Sequence, residues 1–258
     1  MSKLSAEEKF IDLSDYGRPL ALRIACAFSK TAVTPVHVTL LFGISGLIAS
    51  LLIIREYYVT AGLFLILKSI LDAADGELAR LKKTPSYTGR YLDSVFDIIL
   101  NFIILGTIFN VTGQPAWMFV TAFAGVQLQG TLYNYYYVIL RHKAAGGDRT
   151  SRVFEKEVPQ ALPGESQKSV TALYIAYKFF YSIFDQVIYI IDKSASTSNT
   201  LPKWFMTLLS VYGLGFQLLL IALFLSIGLI EWILPFFIWY SSGILFFILL
   251  RRVLNRNQ

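Results

Sequence analysis

Apolar runs near the roughly 20 residues that cross a hydrocarbon core dominate the chain. They cover 36–54, 59 to about 71, 94–111, 116–140, 204–229 and 233–250. The second run reaches full length only if its helix continues through the acidic residues after Leu71. This pattern predicts an all-α, polytopic membrane bundle with six transmembrane helices. A further stretch, 170–191, is aromatic and apolar but carries Lys178 and Asp185, so it either spans or lies along the interface. The interface is the expected place, because a crossing there would move Lys193 and Lys203 outside.

Ahead of the first run, Phe10, Ile11, Leu13, Leu20, Leu22, Ile24, Ala25 and Phe28 recur at roughly helical spacing, with Arg18, Arg23 and Lys30 between them. An amphipathic helix on the cytoplasmic leaflet is predicted. It starts after Asp15, Tyr16 and Gly17, with Pro19 in its first turn, and Thr34-Pro35 then turns into the first span. The chain thus divides into a leader, 1–35, and a six-helix membrane domain, 36–258, interrupted at 141–203 by a cytoplasmic loop and the interfacial segment. From 141 to 169 the composition is that of a loop, with Gly146, Gly147, Pro159, Pro163 and Gly164. Its Asp148, Arg149, Arg152, Glu155, Lys156 and Glu157 either cover a site or are simply solvated.

Composition agrees with a membrane protein: 55% hydrophobic, 16% charged, mean hydropathy +0.56. Under six spans with both termini inside, the cytoplasmic segments hold nearly all the Lys and Arg, and the three external turns hold Arg55 alone. The net charge of +6 therefore reads as topology and attraction to anionic lipid, with no nucleic-acid partner. Cys26, the single cysteine, excludes an internal disulfide. The first 30 residues lack the apolar core and cleavage site of a signal peptide, so the amino end is expected to be retained.

The chemistry sits at the edge of the second and third runs. Asp72, Asp75, Asp93 and Asp97 lie within 26 residues, spaced three and four apart, so each pair occupies one helical face. Carboxylates at a membrane edge are costly without a counter-charge. Hard oxygen ligands of this kind suit Mg²⁺, Mn²⁺ or Ca²⁺ rather than zinc. Gly76 leaves backbone open to a phosphate, Ala79 keeps the same face clear, and Arg80 offers a fork for phosphate oxygens. Two metals with a remaining carboxylate as base would suit phosphoryl transfer; a cation or proton pathway is the alternative. Lys68, one turn before Asp72, is expected to face the acids, as a counter-charge or as a contact for an anionic acceptor. His37 reads as a polar interfacial residue rather than a base. Tyr133, Asn134, Tyr135, Tyr136 and Tyr137 read first as an aromatic belt, and with Gln127 and Gln129 as weak pointers to an acceptor pocket.

The full pattern, Asp72-x-x-Asp75-Gly76-x-x-Ala79-Arg80, eight residues, Gly89-x-x-x-Asp93-x-x-x-Asp97, resembles the signature of the CDP-alcohol phosphotransferase family at every defining position. The resemblance implies transfer of an alcohol-substituted phosphate from a cytidine diphosphate carrier to an acceptor hydroxyl, with release of CMP. It implies that Asp72, Asp75 and Asp93 bind metal, two ions of Mg²⁺ or Mn²⁺ in the family's manner, and that Asp97 is the general base and touches the second ion. Gly76, Ala79, Arg80 and Gly89 match positions lining the CDP moiety, as do Ser86 and Thr39 more loosely. The family's Pro-Asn-x-x-Thr at the first span reads Pro35-Val36-His37-Val38-Thr39 here, without the Asn. Leu92-Asp93-Ser94-Val95-Phe96-Asp97-Ile98 looks more like inositol- or serine-using relatives than glycerophosphate-using ones, and six spans favour CDP-diacylglycerol as donor. CDP-choline-type transfer to a lipid alcohol is the alternative, and a cation transporter or silent CDP-binding relative the different-class one. The resemblance also implies a homodimer, for which Gly213 and Gly215 are suggestive contacts.

Overall fold

The computed structural model describes residues 9–145, 157–197 and 201–256, and within them the fold is all-α. After a single 3-10 turn at Leu13–Asp15 come α1 (Arg18–Ser29), α2 (Pro35–Ile54), α3 (Tyr58–Lys82), α4 (Tyr87–Thr112) and α5 (Ala116–Ala145). Then follow α6 (Gln167–Ile191), α7 (Lys203–Leu209), α8 (Leu214–Ser226), α9 (Ile233–Tyr240) and α10 (Gly243–Arg256). Of the candidate loop charges, Asp148, Arg149, Arg152, Glu155 and Lys156 lie outside the described residues, as do Gly146, Gly147 and residues 1–8 of the leader.

Local chemistry sets the helix starts. Pro19 occupies the first turn of α1. Thr34 and His37 cap α2 reciprocally: the Thr34 backbone N–H donates to His37 Nδ1 at 3.0 Å, and the His37 N–H donates to Thr34 Oγ1 at 3.4 Å. His37 is thus a capping residue. The helix ends at 55–57, 83 and 113 use left-handed backbone at Glu56, Lys83 and Gly113.

Two apolar clusters run through the bundle. One joins Phe42, Leu65, Ile104, Ile221 and Phe237; the other joins Leu132, Tyr136, Phe205, Tyr212 and Phe247. Helix α1 packs across α3 with Ala21 and Ala25 buried against Ile70, Ala74 and Leu78. Ile24 and Phe28 pack beside them as expected, whereas Leu20 and Leu22, also expected on the apolar face, point outward. A side chain at Gly17 would place its Cβ 2.8 Å from Ile70 Cγ1, which is why the helix entry can lie this close.

Three helical stretches are long and apolar enough to cross a membrane: Pro35–Ile54, Tyr87–Thr112 and Ile230–Asn255. A fourth arises if Lys203–Tyr212 and Leu214–Ser226, bent by 50°, form one span. The protein is thus a multi-pass membrane protein by the composition of its helices. The expected six crossings are not all carried by composition, because α3 bears Lys68, Asp72 and Asp75 and α5 bears Gln127, Gln129 and its tyrosines. Helix α6 begins beside the start of α4, where Tyr91 meets Tyr174, and ends where Tyr136 meets Asp192 near the end of α5. Since α4 and α5 run antiparallel through the short 113–115 turn, these two places lie at the same end of the bundle. Between its own two ends the middle of α6 packs on α5, where Phe184 meets Phe123.

Candidate metal centre

Asp72 and Asp75 on α3 and Asp93 on α4 bring three carboxylate oxygens within 4.8 Å of one another. The 83–86 turn between the helices makes them antiparallel and puts the acids of each on facing sides. Thr39 of α2 donates its hydroxyl to Asp75 Oδ2 at 2.7 Å and so fixes that carboxylate's orientation. Oxygens sharing a hard divalent ion at about 2.0–2.6 Å are at most about 5 Å apart, so the donor type and the spacing both fit such an ion.

Asp97 is placed differently. Its Oδ1 accepts from Lys68 Nζ at 2.7 Å, and Lys68 is fully buried, with its ammonium 4.9 Å from the centre of the Phe42 ring. Three of the four expected carboxylates converge, and the fourth is held on a lysine one helical turn deeper along α4. Of the two expectations for Lys68, the structure shows the counter-charge.

Around this centre, Gly76, Ala79 and Arg80 lie half-buried on α3. The Arg80 guanidinium folds back so that its Nη1 would be 3.6 Å from a Cβ at Gly76. Its other edge grips Glu77, with Nη2 to Oε1 at 2.5 Å and Nε to Oε2 at 3.1 Å. Glu77 was not singled out by the sequence, although a carboxylate three residues before an arginine on a helix is itself a pairing signal. Arg141 at the end of α5 lies within electrostatic reach of Arg80 and Arg90, so cations from α3, α4 and α5 flank the acids.

Ser86 and Gly89 form the start of α4. The Gly89 N–H donates to Ser86 Oγ at 2.8 Å, and the Ser86 hydroxyl donates to Glu165 Oε1 at 2.8 Å. A Cβ on Gly89 would sit 3.3 Å from Ser86 Oγ, so the glycine leaves room for this cap. Glu165, also missed, accepts from the backbone N–H groups of Tyr87 at 3.1 Å and Thr88 at 2.7 Å. Partial burial alone would raise the Glu165 carboxyl, but these donors outweigh it and hold the group below the usual range. Ser86, expected near a nucleotide, is committed to a helix cap in this structure.

Several polar residues that pointed to an acceptor pocket instead hold the fold. Tyr133 donates to Asp12 at 2.5 Å, and Tyr136 to Asp192 at 2.5 Å. Gln129 donates to Ser241 Oγ at 2.9 Å and accepts from Gln217 at 3.0 Å. Asp192 is buried and pairs with buried Arg251. Gly213 and Gly215, suggested as contacts between copies, are filled by Ser14 of the same chain, which would collide with a Cβ at either position.

A model of the CDP-alcohol phosphatidyltransferase family matches residues 32–239. The chain is also similar to a "Bifunctional IPC transferase and DIPP synthase" of Thermococcus kodakarensis (strain ATCC BAA-918 / JCM 12380 / KOD1), with 33% identity over 174 residues. That alignment covers 64% of this chain and 38% of the relative, so the chain spans well under half of the relative's length.

Proposed function

The chain belongs to the CDP-alcohol phosphatidyltransferase family, and from that premise we propose that it transfers a phosphatidyl group from CDP-diacylglycerol to the hydroxyl of a small polar acceptor, releasing CMP. The observation that carries this reading is the convergence of Asp72, Asp75 and Asp93 within 4.8 Å, with Arg80 over Gly76 two turns beyond Asp72 on the same helix.

In the reaction, the acceptor oxygen attacks the phosphorus that bears the diacylglycerol. A new P–O bond forms there, the bond from that phosphorus to the oxygen of CMP breaks, and the hydroxyl proton passes to Asp97. Asp72, Asp75 and Asp93 would hold divalent metal, Mg²⁺ or Mn²⁺, which neutralises pyrophosphate charge. Arg80 engages the pyrophosphate over the open face of Gly76 and Ala79. Lys68 holds the Asp97 carboxylate in place to meet the acceptor hydroxyl. The cations Arg90 and Arg141 favour an anionic substrate beside the acids. In the membrane we place six spans, α2, α3, α4, α5, α7 with α8, and α9 with α10, with the site and both termini in the cytoplasm. A homodimer remains part of the reading, through surfaces other than Gly213 and Gly215.

The test is CMP release by the purified protein in lipid micelles with Mg²⁺ or Mn²⁺. CDP-diacylglycerol is offered with inositol, inositol phosphate, serine or glycerol phosphate, and CDP-choline and CDP-ethanolamine with diacylglycerol. Metal-dependent release with CDP-diacylglycerol and one acceptor is expected. Release only with a CDP-aminoalcohol would reverse which substrate carries the lipid. Silence across the panel, despite binding of CDP and metal, would remove the assigned pairs.

A further inference from the structure

Glu77 is 2% exposed and lies between two arginines from different parts of the chain. Its Oε1 accepts from Arg80 Nη2 at 2.5 Å and from Arg18 Nη1 at 2.5 Å, and Arg18 also pairs with Asp15. Arg18 opens α1, in the leader. That segment is held in place independently of this pair. The backbone N–H of Leu13 donates to Ser210 Oγ at 2.8 Å, Ser14 fills the notch over Gly213 and Gly215, and Lys82 Nζ donates to the Thr31 carbonyl at 2.7 Å. Arg18 therefore meets Glu77 from a fixed base.

The arrangement has a consequence for Arg80. A carboxylate gripping a guanidinium alone competes with any anion for the same charge. Here a second guanidinium shares that carboxylate oxygen, so Glu77 is offset by Arg18 and Arg80 keeps charge to offer. Glu77 also occupies Nε and Nη2 of Arg80, which leaves Nη1, the guanidinium nitrogen nearest the half-buried Gly76 that follows Asp75, to meet a ligand. We infer that Arg18 is a positioning residue for substrate: acting through Glu77, it holds the Arg80 fork with Nη1 presented to the pyrophosphate of a cytidine diphosphate ligand. The inference rests on the function proposed above and extends it to the leader, which contributes to the site without touching substrate.

The experiment measures CDP affinity of the full-length protein in lipid micelles with Mn²⁺, together with thermal stability. Arg18→Gln is expected to weaken CDP binding about ten-fold in the parent protein, and less than about two-fold in a Glu77→Gln background, where the connection is already broken. Arg18→Lys should recover part of the loss. Lys82→Ala detaches the other end of α1 without touching Glu77 and should leave CDP affinity unchanged. Equal losses from Arg18→Gln in both backgrounds, or an equal loss from Lys82→Ala, would mean that Arg18 only stabilises the leader, and would overturn the inference. So would unchanged CDP affinity in Arg18→Gln. A parent protein that binds Mn²⁺ but not CDP would instead remove the function on which the inference stands, and the inference with it.

Discussion

Single side chains divide the acidic motif into two jobs. Thr39 holds Asp75 by one hydroxyl, and Lys68 holds Asp97 by one ammonium. Replacing Thr39 by the isosteric Val deletes the first bond and leaves the second intact. Losing a partner that orients a ligating carboxylate weakens metal binding about 10–100-fold, and Mn²⁺ titration followed by electron paramagnetic resonance should show it. Asp97→Asn should do the reverse, leaving Mn²⁺ affinity within a few-fold while turnover in the CMP-release assay falls by about 10²–10⁴, the usual contribution of a positioned base. Equal losses of metal and turnover in Asp97→Asn would return that carboxylate to the metal group. At this scale the acids, Gly76 and Arg80 were legible because they recur at fixed helical offsets. Glu77 and Glu165 were not. The spacing of Glu77 and Arg80 was a local signal, but the meeting of Glu77 with Arg18, 59 residues away, and of Glu165 with the start of α4, 77–79 residues away, is encoded in no local spacing. His37 was legible as polar but not as a cap, since its role depends on the Thr34 backbone turning to meet it.

Among the helices, the ones that carry chemistry are anchored at their ends by buried or half-buried charge. Glu165 gathers the Ser86 hydroxyl and two backbone N–H groups at the start of α4. Because these donors depress its folded-state pKa, its stabilisation is complete above the unfolded carboxyl value of about 4.3 and is lost as pH falls through the lower folded value. Glu165→Gln should cost about 1–2 kcal/mol at neutral pH. It should also flatten the acid limb of a melting-temperature profile below about pH 5; a parallel acid limb in the variant would show that other carboxylates set it. Asp192 does the equivalent for α6. It is fully buried, accepts from Tyr136 and pairs with Arg251 of α10. Asp192→Ala strands a buried guanidinium and should destabilise by about 3–5 kcal/mol, whereas Asp192→Ala with Arg251→Met should recover most of that in thermal unfolding. The sequence gives Arg251 only as a topogenic cation, because its carboxylate partner lies 59 residues earlier. What it does give is most of the helical register: α2 follows its apolar run from end to end, and α3, α4 and α5 each keep one end within a residue or so of theirs, while α3 and α4 extend beyond the apolar runs through the acidic motif.

For the whole molecule, contacts between chain ends count the passages through the bundle where composition cannot. Gln114, in the α4–α5 turn, donates to the Glu231 carbonyl at 2.5 Å, so the turns at 113–115 and 227–229 share one end. Asp192, Tyr136 and Arg251 meet at the other. Between those ends the bent pair α7 and α8 goes once and α9 with α10 returns once, while α6 begins and finishes on the Asp192 side. Helices α2 to α5 would supply four further passages, the six proposed above, where three or four helical stretches are apolar enough to be recognised alone. The turns at 55–57, 113–115 and 227–229 contain a single cation, Arg55, whereas the opposite end holds Lys83, Lys193, Arg251 and Arg252, so that end should face the cytoplasm. Single cysteines test this in a Cys26→Ser background, since Cys26 is exposed. Arg55→Cys and Gln114→Cys should react with a membrane-impermeant maleimide added to intact cells, and Lys83→Cys and Ser194→Cys only after permeabilisation. Labelling of Ser194→Cys from outside, with Lys83→Cys still protected, would make α6 a crossing helix and flip the carboxyl terminus. It would also separate Asp192 from the cytoplasmic end, an outcome that its contact with Tyr136 of α5 opposes.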